Sequence, residues 1–402
     1  MTDQSRPLAP QPSDLTGPAA VAAVAEEAVQ VARRWERATA EGATRSERAT
    51  SDQLGALLRD ETGLDLAVTF VDEVARPEDP YVAAKVLSTL TAGDAGSFLG
   101  RVDRSLLGLG AKVARLAPPV VVPIARARLR QIVGHLVVDA NDPALGRHLA
   151  KARAEGFRLN VNLLGEAVLG EHEAASRAER TRQILARPDV DYVSIKVSSL
   201  VSQISTWDEE GTVERVLERL RPLYRTAVAK SPHAFVNLDM EEYKDLDLTM
   251  AVFERLLAEE EFHDLEAGIV LQAYLPDALP ALERMLELAR RRRAAGHAGI
   301  KVRVVKGANL AMEQVEAELH DWVQAPYPTK EDVDANYLAF VERALRPDAT
   351  EVMRIGVASH NLFDTAVAYL LAQQRGCLDA LDIEMLQGMA PSQARAVKAD
   401  VG

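Results

Sequence analysis

One cysteine, Cys377, is all that 402 residues contain. No disulfide can form within such a chain, and no cluster of cysteines can hold zinc. Basic residues are in the minority, 47 against 60 acidic, for a formal net charge of −13. A nucleic-acid binder would usually carry a basic face, so that class is argued against, as is docking on anionic lipid through a broad basic patch. Met1 to Thr16 is polar and proline-rich and lacks the apolar core of a signal peptide. The most apolar stretch, Leu116 to Ala125, is short and broken by Pro118, Pro119 and Pro123, so it cannot span a bilayer. The eight histidines show no His-Glu-x-x-His or other metal spacing, and His172 between Glu171 and Glu173 reads as a solvated helix start. No metal site and no Gly-x-Ser-x-Gly nucleophile elbow are expected. What remains is a soluble, cytoplasmic, globular chain with 48% hydrophobic residues, enough for a sizeable core.

The stretch from Met1 to Thr16 has the composition of a disordered segment. From residue 17 to 155 the pattern is helical throughout and reads as an α-helical arm. Pro18 to Ala40 is alanine-rich, Asp52–Arg59 and Leu64–Ala75 repeat apolar residues at three and four, and helices also fit Ala95–Arg115 and Ile124–Leu136. From 156 to 402 the rhythm changes to short β-branched runs alternating with amphipathic helices, the pattern of βα units around a parallel sheet. The spacing predicts strands at Arg158–Leu163, Tyr192–Val197, Ala234–Asp239, Gly268–Ala273, Val302–Lys306, Arg354–Ala358 and Ala380–Met385. Helices are predicted at Thr212–Ala229, Leu279–Ala295, Val333–Leu345 and Leu362–Gln374, with Cys377 also in a helix. A doubly wound dinucleotide binder would need a glycine fingerprint after its first strand, and the near match Gly108-x-Gly110 lacks both the third glycine and the strand. A (β/α)₈ barrel fits the spacing better. It needs eight strands, and the count stops at seven before Gly402.

In a barrel, chemistry gathers at the C-terminal strand ends. Lys196, Asp239, Gln272, Arg303 and Lys306 are polar residues embedded in apolar strands, costly there unless paired or used. Any one alone is as readily structural as functional; five on one rim point to a site. Arg303 and Lys306 are three apart, so they face opposite ways unless the strand ends between them. Gly307 and Ala308 leave room for a planar ligand to approach the backbone. Converging cations and small residues suit a large anionic cofactor with a flat ring. The basic run Arg290 to Arg293 ends a helix and complements its dipole.

Seven runs, in order and at barrel spacing, carry a family resemblance. They are Phe157-Arg…Leu164-Gly-Glu-Ala167, Ser194-Ile-Lys-Val-Ser198, Asn237-Leu-Asp-Met-Glu-Glu242, Gln272-Ala-Tyr274, Arg303-Val-Val-Lys-Gly-Ala308, Ser359-His-Asn361 and Leu386-Gln-Gly-Met389. From about Phe157 to Ala390 the chain resembles the proline dehydrogenase domain of proline utilisation A, a bifunctional bacterial flavoenzyme. The resemblance implies a distorted (β/α)₈ barrel that binds FAD and oxidises L-proline to Δ1-pyrroline-5-carboxylate, with electrons passed to a membrane quinone. It implies Arg303 beside the reactive edge of the flavin. Asp239, Met240, Gln272, Val305, Lys306, Gly307 and Ala308 would line the flavin and its ribityl chain, and Lys330, Ser359, His360, Asn361 and Glu384 would reach the rest of the cofactor. Lys196 would pair with the substrate carboxylate, Asp239 and Ala308 would lie near the proline ring, Leu386 would pack on it, and Glu166 would pair with a gating arginine.

Asn309 and Leu310 depart from the family's pattern, which has tyrosine and tryptophan there. The family's eighth unit carries an arginine pair for the proline carboxylate, and the resemblance places it beyond Gly402. The expected location is cytoplasmic, at most peripheral at the inner face of the cell membrane. An aldehyde dehydrogenase domain of the same longer chain is the expected partner, and a homo-oligomer is compatible. Two other readings are a Schiff-base aldolase-type barrel using Lys196 or Lys306, and a flavin-binding fragment without turnover, active only when extended through the eighth unit.

Overall fold

The computed structural model describes residues 15–60, 79–89, 101–133, 138–140, 143–163 and 170–402, with 62, 69, 73, 74 and 168 as isolated positions. Most of the segment expected to be disordered, most of the helix expected at Leu64–Ala75, and Glu166 lie outside the described residues.

Helices α1 (Pro18–Gly42), α2 (Arg45–Leu58), α3 (Pro80–Leu87), α4 (Arg101–Val113), α5 (Pro118–Val133) and α6 (Ala144–Ala154) come first. Alternation follows: β1 (Val161–Asn162), α7 (Glu171–Ala186), β2 (Tyr192–Lys196), α8 (Glu209–Val228), β3 (Phe235–Asp239), α9 (Leu246–Ala258) and β4 (Ala267–Gln272). Then come α10 (Ala278–Ala294), β5 (Ile300–Val305), α11 (Leu310–His320), α12 (Lys330–Ala344), α13 (Pro347–Thr350) and β6 (Met353–Ala358). The chain closes with α14 (Leu362–Gln374), β7 (Leu381–Glu384) and α15 (Pro391–Val401). No helix among the described residues is long and apolar enough to cross a membrane.

Local chemistry sets the boundaries. Asp208 caps α8 by accepting from the Gly211 amide, so that helix starts before the expected Thr212. Thr329 caps α12 through the Asp332 amide, and Asn361 caps α14 through those of Phe363 and Asp364. Helix α5 starts at Pro118, six residues before the expected Ile124. Two prolines fit its first turn because the amides there have no intrahelical partner anyway. Cys377 is not helical; it is buried just past the end of α14. The first strand is two residues long rather than six, pairing through Val161 with Val193 and Asn162 with Ser194.

Two compact units emerge. One comprises the chain up to Arg34 with Ala140–Met385; the other comprises Trp35–Asp139 with Leu386–Gly402. In the first, seven strands form one parallel sheet whose spatial order is the chain order, β1 to β7. A doubly wound sheet reverses direction at a switch point; this one never does. Right-handed crossovers then put the helices on one face and leave the other to curl inward. Contacts across the inner face measure the curl. Strands β2 and β5 are three positions apart, about 14 Å in a flat sheet, yet Arg303 Nη2 donates to Tyr192 Oη at 2.5 Å. Side chains of β3 and β7, Asp239 and Glu384, reach the same guanidinium. This is the winding of a (β/α)₈ barrel, with seven strands among the described residues.

The second unit has its own core, with Val74, Ala83, Ala84, Leu87, Ala114 and Val122 buried together. Its two sequence segments are joined by polar contacts. The Trp35 indole donates to Asp400 at 2.7 Å, and Arg395 donates to both oxygens of Glu47 at 2.8 Å.

Candidate active site

Alternation along the strands assigns the inner face. Tyr192, Ser194 and Lys196 share it on β2, as do Phe235, Asn237 and Asp239 on β3, Lys301 and Arg303 on β5, and Asp382 and Glu384 on β7. Glycine makes the space: a Cβ on Gly268 would meet Asn237 Oδ1 at 2.3 Å, and one on Gly356 would meet Glu384 Oε1 at 2.4 Å.

Arg303 is 8% exposed and sits at the centre. It donates to Asp239 Oδ1 at 3.2 Å, to Ser194 Oγ at 3.5 Å and to Tyr192, while its Nε lies 2.8 Å from Glu384 Oε2. Burial works against its charge, but Glu384, Tyr192 and Asp239 outweigh it and hold the pKa above the ordinary arginine value. Asp239 also accepts from Asn162 at 2.8 Å and Asn237 at 3.1 Å. Burial nevertheless raises its pKa, against the pull of Arg303. Lys196, at the tip of β2, pairs with Glu241 at 2.8 Å; Ser198 donates to the other oxygen of that carboxylate. The Glu241 carbonyl accepts from Gln272 at 3.2 Å and from Asn309 at 2.6 Å. Asn309 thus ties the turn after β5 to the turn after β3. Gln272 Oε1 is buried with no hydrogen-bond partner among the described residues. Met240 is buried and Val305 half-buried beside these groups in the chain.

Lys306 does not share the inner rim. Strand β5 ends at Val305, and the lysine turns toward α12 and α14, pairing with Asp334 and, at 2.8 Å, with Asp364. Burial opposes its charge and the two aspartates more than compensate, so its pKa is raised. Lys330 pairs with the same Asp334 from the exposed start of α12. Ser359 and Asn361 form the turn into α14, with Ser359 Oγ accepting from the Asn361 amide at 3.0 Å and donating to Asp364 at 3.4 Å; half-buried His360 lies between them. Gly307 has φ +143°, and a Cβ there would fall 2.5 Å from the Tyr274 ring. The space expected at Gly307 for a flat ligand is filled by Tyr274 on that side; Ala308 is exposed.

The structure therefore brings together Lys196, Asp239, Gln272, Arg303 and Glu384, and gathers Lys306, Lys330, Ser359 and Asn361 in a second cluster. Leu386 belongs to the other compact unit and is 64% exposed. Tyr192, Glu241, Lys301 and Asp364 received no role from the sequence. The period-two placement of Tyr192 with Ser194 and Lys196, and of Lys301 with Arg303, was the available signal. Glu241 and Asp364 lie off the strands and offer no such signal.

The family described as Proline dehydrogenase matches residues 145–402. A bifunctional protein PutA from Klebsiella aerogenes is 28% identical over 254 residues, 60% of this chain and 18% of that one. A proline dehydrogenase from Deinococcus radiodurans is 26% identical over 275 residues, 67% of this chain and 79% of the relative. The structure of proline utilization A from Corynebacterium freiburgense superposes with a TM-score of 0.66 at 60% identity, over 69% of this chain and 29% of that one. The chain thus spans less than half the length of the PutA relatives it matches.

Proposed function

Because the chain belongs to the proline dehydrogenase family, we propose that it oxidises L-proline to Δ1-pyrroline-5-carboxylate with FAD as cofactor. A quinone would be the final electron acceptor, and an aldehyde dehydrogenase of the same longer chain the partner. The observation that carries the reading is Arg303, a buried cation held at the strand tips by carboxylates from two other strands.

The residues fit a flavin. Gln272 Oε1, buried at the tip of β4 and without a partner among the described residues, is an acceptor suited to a ring N–H. Lys306, Lys330, Ser359 and Asn361 supply cations and hydroxyl or amide donors suited to the polar remainder of the cofactor. When bound, FAD would supply the acceptor for the hydride that leaves the carbon beside the proline nitrogen.

The chain's own groups do the rest. Arg303 is permanently charged and can stabilise negative charge that builds during reduction. Asp239 and Glu384 fix its plane, which saves reorganisation when the charge appears. Lys196 supplies the cation for the substrate carboxylate, a role in which proline's carboxylate would compete with Glu241. Asp239 is the register partner of Lys196 across β2 and β3 and lies 3.2 Å from Arg303, so it stands between the two cations. A Schiff-base reading fares poorly, because a nucleophilic lysine must be neutral. Lys196 and Lys306 are both ion-paired, and the pKa of Lys306 is raised.

The test is the visible absorbance of the purified chain, saturated with FAD, before and after L-proline is added without oxygen. A yellow protein that bleaches with L-proline is expected. A colourless protein would refute the reading; a yellow one that proline leaves unbleached would refute turnover by this chain and favour the flavin-binding fragment.

A further inference from the structure

We propose that Lys301 is a positioning residue that sets the charge around Arg303, and with it the reduction potential of the cofactor held there; the inference rests on the flavin reading above. Lys301 lies two residues before Arg303 on the inner face of β5 and is 2% exposed. A buried ammonium is costly unless it is fully paired. Here Nζ is 2.6 Å from Asp382 Oδ2 and 2.6 Å from Glu384 Oε1. The other Glu384 oxygen is the one 2.8 Å from Arg303 Nε. One carboxylate is therefore divided between two cations, one oxygen to each.

The surroundings leave this arrangement little freedom. A Cβ on Gly356 would meet Lys301 Cε at 2.8 Å and Glu384 Oε1 at 2.4 Å, so the strand beneath must be bare. The ammonium lies 5.3 Å from the Tyr192 ring centre and 5.6 Å from that of Phe235, which keeps water from one side. Burial lowers the tendency of Lys301 to hold its proton, but Glu384, Tyr192 and Asp382 reverse that and raise its pKa.

Charge changes give the consequence. Lys301, Arg303 and Arg354 stand against Asp239, Asp382 and Glu384, with Glu266 sharing Arg354 at the far end. Removing the Lys301 charge makes the set one charge more negative, and Glu384 then draws on Arg303 alone. Removing the Asp382 charge makes it one charge more positive. In a poorly hydrated interior either change is weakly screened. Reduction of a flavin adds negative charge, so the two changes must move its potential in opposite directions.

The experiment is a spectroelectrochemical titration of the FAD-loaded chain and of Lys301→Gln and Asp382→Asn. The midpoint potential is expected to fall in Lys301→Gln and to rise in Asp382→Asn. General loosening of the barrel would not give opposite signs. Unmoved potentials, or shifts of the same sign, would overturn the proposal, and should Lys301→Gln fail to fold, the sign for Asp382→Asn decides. A native chain that takes up no flavin would instead refute the reading beneath it, and this proposal with it.

Discussion

Arg303 enters the inner face with only polar company: a phenol, a hydroxyl and two carboxylates from three other strands. Its removal should therefore separate chemistry from folding. Arg303→Met keeps an unbranched stem, shorter than arginine's, and removes the charge and the fork of donors. Flavin reduction by proline is expected to slow by roughly 10²–10³-fold, the scale for losing a preorganised charge partner. Stability should fall by only about 1–3 kcal/mol, because Asp239 keeps Asn162 and Asn237, and Glu384 keeps Lys301. Stopped-flow reduction and urea unfolding of the same samples would measure both; an equal loss in each would make Arg303 structural. At this scale the sequence was legible where a polar residue stood near the end of an apolar strand, as Arg303, Asp239 and Gln272 do; Lys301, near the start of β5, drew no role. Glu241 stayed hidden because its role depends on a turn reaching back over the tip of β2.

Elements show the same division. Seven strands could be read from β-branched runs because each is short, apolar and bounded by turns; the first was overextended by four residues and the others missed by one or two at their ends. The basic run at the end of α10 was legible as a complement to the helix dipole, but that accounts for part of it. Arg292 is 4% exposed and pairs with no carboxylate among the described contacts; it donates to the carbonyls of Leu257, Phe262, His263, Leu265 and Ala298. One guanidinium thus closes the end of α9, the turn after it and the end of α10. Periodicity could not reveal this, since a run of four basic residues does not say which one turns inward. Lysine has no fork to span those acceptors. Arg292→Lys is expected to cost about 2–3 kcal/mol in chemical unfolding, with faster amide exchange at 257–265. A loss within about 0.5 kcal/mol would mean that water replaces the guanidinium freely.

Across the whole molecule, the joins between distant segments escape any local reading. Trp35 and Asp400 are 365 residues apart, and Glu47 and Arg395 are 348 apart, yet each pair meets in the second unit. Closing so long a loop carries an entropic cost that these contacts help offset. The bond from Arg395, aided by Thr44 against some burial, holds Glu47 down to a pKa of about 2. A lowered folded-state pKa stabilises above the unfolded value near 4.5 and loses that contribution as pH falls through the folded value. Arg395→Ala is therefore expected to lower stability by up to about 1 kcal/mol at pH 7, water screening included. The difference from the native chain should shrink between pH 4.5 and 2. Urea melts across that range would check it, and a constant difference would contradict the ion pair.

Trp35 also gives the chain an optical property. It is 1% exposed, whereas Trp207 and Trp322 are 99% and 60% exposed. A dissolved quencher such as iodide reaches the two exposed indoles and not the enclosed one. Under quenching, the fluorescence that survives comes from Trp35, so the native chain reports on the joining of its own two ends without any added label.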